Sequence, residues 1–128
     1  MISHVTIGVN DVARARFFYD AVLAPLGYVC LELCEGALGY GVPEGERPEL
    51  WVMMPFDGRP AANGNGWHVA FLAPSRAAVD TFFKAAMLAG GSDEGAPALR
   101  PHYGSTYYAA YVRDLEGNKV QAVCREVE

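Results

Sequence analysis

The sequence predicts an α+β fold made of two βαβββ modules related by a pseudo-two-fold axis. Two observations lead there. The stretch HVTIGVNDVARARFFYDAVLAPLG, beginning at His4, returns 64 residues later as HVAFLAPSRAAVDTFFKAAMLAGG, beginning at His68, in a chain of 128 residues. Each copy is then followed by short runs of β-branched and aromatic residues separated by turn formers, the pattern of strands rather than helices. Within the repeat His4 matches His68, Val5 matches Val69, Ala13 matches Ala77, Phe18 matches Phe82, Ala21 matches Ala85 and Gly27 matches Gly91. A repeat of two units does not make a solenoid. It brings equivalent positions together near an axis.

Taken in order, ISHVTIGVN reads as a strand, with His4, Thr6 and Gly8 on one face and Val5, Ile7 and Val9 on the other. Asn10 or Asp11 caps a helix reaching about Ala24, in which Val12, Ala15, Phe18, Tyr19 and Val22 recur at helical spacing. Pro25 and Gly27 stop it. YVCLELCE, ALGYGVP and ELWVMMP complete the first module, over about residues 1–56. FDGRPAANGNG is dense in Gly, Pro, Asn and Asp and serves as the linker, about residues 57–65.

The second module, about residues 66–128, restarts with WHVAFLA. Ser75 caps a helix ending near Ala89, and Gly90-Gly91 terminates it. SDEGAPALRPHYGS is expected to be irregular, with one short strand near Ala98 to His102. TYYAAYVRD is a strand, LEGN a turn and KVQAVCRE the last strand. Asp114, Gly117 and Asn118 have the chemistry of that turn and are assigned to structure. NGNG lacks the Lys-Ser/Thr and the following helix of a phosphate loop.

Composition narrows the function classes. The chain is 52% hydrophobic and 20% charged, with formal net charge −5 and a pI of about 5.1. No run of Lys or Arg offers a surface to nucleic acid or to an anionic membrane. No apolar run is long enough to span a bilayer, and MISHVTIGVND lacks the basic start and cleavage site of a secretory signal. The three cysteines, Cys30, Cys34 and Cys124, are odd in number and form no CxxC pair. They indicate reduced thiols, no disulfide and a cytoplasmic protein.

Two imidazoles delivered to a shared cleft from matching strands are half of a transition-metal site. Each is equally a hydrogen-bonded structural histidine. Near the end of the chain, RPHYGSTYYAAYVRD brings Arg100, His102, Tyr103 and three further tyrosines together. His102 and Tyr103 sit in a glycine-bearing loop before a strand, and Arg100 is suited to a substrate carboxylate. Trp51 and Trp67 are candidates for aromatic lining of a ligand pocket, or for plain core.

The paired modules, the opening HVTIGVNDVARARFFYDAVLAPLGY, the second-module WHVAFLA and the closing VRDLEGNKVQAV resemble the vicinal oxygen chelate superfamily of glyoxalases, bleomycin-resistance proteins and extradiol dioxygenases. The resemblance spans essentially the whole chain. It implies eight strands curved around a cleft, a homodimer, and a divalent metal held by His4, by His68 and by an acidic residue on the last strand. That last position falls on Gln121, a neutral amide in place of a carboxylate. Glu49 is a further metal-ligand candidate on the first module's last strand, and Trp51 equally fits that position. Nickel, cobalt, zinc, iron and manganese are not distinguished. The resemblance implies a lyase or isomerase in which a metal stabilises an enolate or oxyanion on a small oxygenated substrate. The alternative is a metal-free protein of the bleomycin-resistance type, sequestering a small aromatic or cationic molecule. A third is a structural dimer without chemistry.

Overall fold

The computed structural model describes residues 1–128. In the first module, β1 (Val5–Gly8) leads into α1 (Val12–Leu23), a 3-10 turn (Ala24–Leu26) and three strands, β2 (Val29–Cys34), β3 (Ala37–Gly41) and β4 (Leu50–Met53). In the second, β5 (Val69–Leu72) leads into α2 (Arg76–Leu88), β6 (Ser92–Leu99), β7 (Tyr108–Arg113) and β8 (Lys119–Cys124). Each module forms one four-stranded sheet, in the orders β1-β4-β3-β2 and β5-β8-β7-β6. In both, the first and fourth strands pair in parallel and the remaining pairs are antiparallel. The expected α+β fold of two βαβββ modules is therefore present.

The helices start where side chains satisfy their free N–H groups. Asp11, rather than Asn10, caps α1 by accepting from the Arg14 amide at 3.0 Å. Ser75 caps α2 by accepting from the Ala78 amide at 3.1 Å. Each cap is worth about 1 kcal/mol. Asn10 instead braces the linker, its Oδ1 accepting from the Ala61 amide.

One face of each sheet packs on the helices. Ile7, Phe18, Tyr19, Leu38, Leu50 and Val52 from the first module join Phe71, Val79, Phe82, Val112 and Val120 from the second in a single buried cluster. The pairs matched by the repeat, Ile7 with Phe71 and Phe18 with Phe82, occupy corresponding core positions. Strand alternation sends His4, Thr6 and Gly8, and likewise His68, Ala70 and Leu72, to the opposite face. Both histidines stand one residue ahead of their strands.

The last turn joins the modules. Asp114, 7% exposed, accepts from the Tyr19 hydroxyl, the Asn118 side-chain amide and two backbone amides. Asn118 also donates to the Gly8 carbonyl of β1 at 3.0 Å. Burial and then the Asp114 charge push the Tyr19 phenol well above its ordinary range.

The segment expected to hold one short strand near Ala98 to His102 forms the eight-residue β6, ending at Leu99. Its pairing with β7 shifts register between Asp93 and Gly95 and again between Gly95 and Ala98. Bulges accommodate Gly95 and Pro97 without ending the ladder, which the local composition concealed.

Candidate functional site in the second module

A cleft of about 310 Å³ opens on the solvent-side face of the second sheet. Its floor follows from register. Gln121 on β8 lies opposite Ala70 on β5 and Tyr111 on β7, so these side chains share one face with His68 and Lys119. Gln121 is 1% exposed. A buried primary amide needs partners on both its oxygen and its nitrogen. It has them: His68 Nε2 donates to Gln121 Oε1 at 2.9 Å, and Gln121 Nε2 donates to the Tyr107 hydroxyl at 2.7 Å. Because an amide oxygen only accepts, this arrangement puts a proton on His68 Nε2.

Aromatic rings continue the wall. His68 meets Tyr111 edge to face at 5.8 Å between ring centroids. Tyr107 lies 5.3 Å from Tyr103, which lies 4.1 Å from His102. Burial, then the neighbouring Tyr107, raises the Tyr111 phenol above its ordinary value, so it is a neutral hydrogen-bonding group. Arg100 Cζ is 5.6 Å and Lys119 Nζ 5.3 Å from the Tyr111 ring centre, both within cation–π range. Arg100 also donates through Nη2 to the Ala96 carbonyl at 2.8 Å. Its guanidinium rests on Gly95, whose φ is +151° and whose missing Cβ would fall 3.1 Å from Arg100 Nη2. A side chain there would be strained by that φ and would crowd the guanidinium. Glu94 at the rim is bonded to Arg113, whose guanidinium holds the carboxyl below the usual carboxylate range.

The model of the Glyoxalase/Bleomycin resistance protein/Dioxygenase superfamily matches residues 1–122. The chain belongs to this superfamily. A glyoxalase/bleomycin resistance protein from Albidiferax ferrireducens T118 is similar in structure, with a TM-score of 0.84 and 36% identity over 97% of this chain and 98% of that one. A lactoylglutathione lyase from Agrobacterium tumefaciens shares the fold, with a TM-score of 0.63 and 23% identity over 97% and 92% of the two chains. So does a glyoxalase-related enzyme from Fulvimarina pelagi, with a TM-score of 0.73 and 17% identity over 97% and 87%. No curated protein matches.

Within this superfamily fold the two modules have diverged at the equivalent position. Trp51 lies opposite Thr6 and Gly39 in the first sheet, as Gln121 lies opposite Ala70 and Tyr111 in the second. Trp51, not Glu49, is thus the counterpart of Gln121. Its ring covers Gly39, whose missing Cβ would fall 3.1 Å from Trp51 Cη2 and 2.6 Å from Pro48 Cγ. A large residue on a glycine in one module answers a medium polar residue beside a tyrosine in the other.

Of the residues expected from sequence, His68, Arg100, His102 and Tyr103 line the one cleft, with Gln121 at its floor through the bond to His68. His4, Glu49 and Trp51 belong to the first sheet. His4 is exposed and bonded through Nδ1 to the Ser3 hydroxyl at 3.0 Å. No cavity is lined by both His4 and His68. Glu49 is exposed and borders Tyr28, whose phenol is pushed up to about 12 by burial and then by the Glu49 hydrogen bond and charge. Tyr107, Tyr111, Lys119 and Glu94 were not singled out from the sequence. Tyr111 and Lys119 were legible in principle, since two-residue alternation puts Lys119 on the Gln121 face and the hairpin turn sets Tyr111 opposite.

As a donor set for a divalent cation, these residues do not fit. No group of three or more His, Cys, Asp or Glu side chains is placed to hold one. Neither His68 nor Gln121 brings a negative charge, and each occupies the other's donor atom. A metal would have to displace the Nε2 proton and break that bond, with no carboxylate to offset the charge.

Proposed function

We propose that this protein binds a small oxygenated molecule in the second-module cleft without a bound metal. The observation that carries this reading is the chain His68–Gln121–Tyr107, which reaches the cleft at His68 and is buried beneath it at Gln121. It fixes a donor-acceptor array in a rigid, half-buried setting, and such preorganisation favours binding of a hydroxyl or carbonyl group. Membership of the superfamily supports binding of a small molecule. The volume accommodates a ligand of roughly ten to fifteen heavy atoms. A homodimer belongs to the same reading, with the exposed Phe56 and Leu72 among the apolar side chains a second copy would cover.

The test is a backbone-amide NMR titration with three compounds sharing a phenyl ring and a hydroxyl group: mandelate, mandelamide and 2-amino-1-phenylethanol. At least one should shift the amides of His68, Tyr111 and Gln121. A second groove, of about 540 Å³, lies in the first module and is lined by Thr6, Met53, Arg59 and Ala61; shifts confined to Thr6, Met53 and Ala61 there would contradict the reading.

The second reading is a metal-dependent lyase or isomerase. It is favoured by one observation, that His4 and His68 open their modules at equivalent positions. Stoichiometric nickel, cobalt, zinc, iron or manganese in protein purified without added metal would support it.

A further inference from the structure

We infer that the ligand of this cleft is an anion, a small hydroxy- or oxo-carboxylate held by Arg100 and Lys119. The inference rests on the reading that the second-module cleft is the binding site, and adds the charge of what it takes. The chain as a whole is acidic, with net charge −5. The cleft reverses that sign. Arg100 and Lys119 line it and neither takes part in an ion pair. The one carboxylate at the rim, Glu94, is already neutralised by Arg113. Two cations free of ion pairs therefore stand within cation–π range of the Tyr111 ring, with Lys119 also in the field of Glu94. A local positive field inside an acidic surface attracts anions and repels cations.

Arg100 carries a second mark. Its Nε is buried and has no hydrogen-bond partner. A buried donor left unpaired is costly, and a carboxylate is the complement of a guanidinium edge. With the carboxylate at Arg100 and Lys119, an adjacent hydroxyl or carbonyl oxygen falls toward His68, which lines the same cleft. The cationic molecule of the bleomycin-resistance alternative is thereby disfavoured.

The experiment is calorimetric titration of the native protein with mandelate, mandelamide and 2-amino-1-phenylethanol, repeated for Arg100→Gln, Lys119→Gln and the control Arg59→Gln. Mandelate should bind at least about tenfold more tightly than either partner compound, and each cleft variant should lose about tenfold or more for mandelate only. Arg59, in the first-module groove, should have no effect. Raising the salt concentration should weaken mandelate and leave mandelamide unchanged. If mandelamide or 2-amino-1-phenylethanol binds as tightly as mandelate and shifts the cleft amides, the anion inference is overturned and the cleft reading stands. If none of the three shifts those amides, both fall. Lys119→Gln, which replaces a half-exposed side chain, keeps the test valid should Arg100→Gln disturb β6.

Discussion

Trp51 and Gln121 occupy the same register position in the two modules, one opposite Thr6 on β1 and the other opposite Ala70 on β5. The consequence is an asymmetric protein built on a symmetric plan. One module covers that position with an indole laid on glycine, and the other keeps a buried amide wired to a histidine and a tyrosine.

Gly39→Ala should test the first half of that arrangement. The added methyl would press on Pro48 and on the Trp51 ring. A loss of about 1–3 kcal/mol is expected in urea denaturation. Ligand binding by the folded variant should be unchanged, because nothing in the second cleft moves. Weaker binding would mean that the first module contributes to the site.

Asp114→Ala should destabilise the fold by roughly 2–4 kcal/mol, since it strips the Tyr19 hydroxyl, the Asn118 side chain and two backbone amides of their acceptor. Urea denaturation measures it. Asp114→Asn should cost less, as it retains one accepting oxygen.

Alkaline titration followed by phenolate absorbance isolates the role of Glu49. Tyr28 should ionise near pH 12. The folded state favours its neutral phenol, so this contribution to stability is full below about pH 10 and is lost as pH rises through about 12. Glu49→Gln removes the carboxylate charge but not the burial, so Tyr28 should titrate lower. An unchanged titration would detach Glu49 from Tyr28.

Gln121→Glu should create what the native cleft lacks. With a carboxylate beside His68, zinc or nickel should raise the melting temperature, a ligand at about 100 times its dissociation constant adding roughly 2.7 kcal/mol. The native protein should show no such rise, and Gln121→Glu combined with His68→Ala should lose it. Equal metal-dependent shifts in the native protein would favour the metal reading.

The fold was readable because its signals are redundant. His4 with His68, Phe18 with Phe82 and the cap at Ser75 all report the same repeat, and the core positions they mark are buried in both modules. The site was readable only in part. His68 and Gln121 stood out as residue types, and Arg100, His102 and Tyr103 as a local cluster. Glu49 and Trp51 differ by two residues on one strand face, so alternation cannot separate them, and only the pairing of Trp51 with Thr6 does. Tyr107 was hidden because its importance lies in the Gln121 amide that it meets across the sheet. The sign of the cleft was hidden too, because net charge averages over the whole surface, while the cleft's lining has Arg100 and Lys119 against Glu94 alone. The ion pair of Glu94 with Arg113, across a bulged strand pair, is the contact that decides it.

The most direct measurement is calorimetry with mandelate on chelator-treated native protein and on Gln121→Met, a substitution of similar volume that leaves His68 and Tyr107 without their shared partner. Metal-free native protein should bind, and Gln121→Met should fold but bind at least about tenfold more weakly. Binding that appears only when a divalent metal is restored, or that is indifferent to Gln121→Met, would contradict the account.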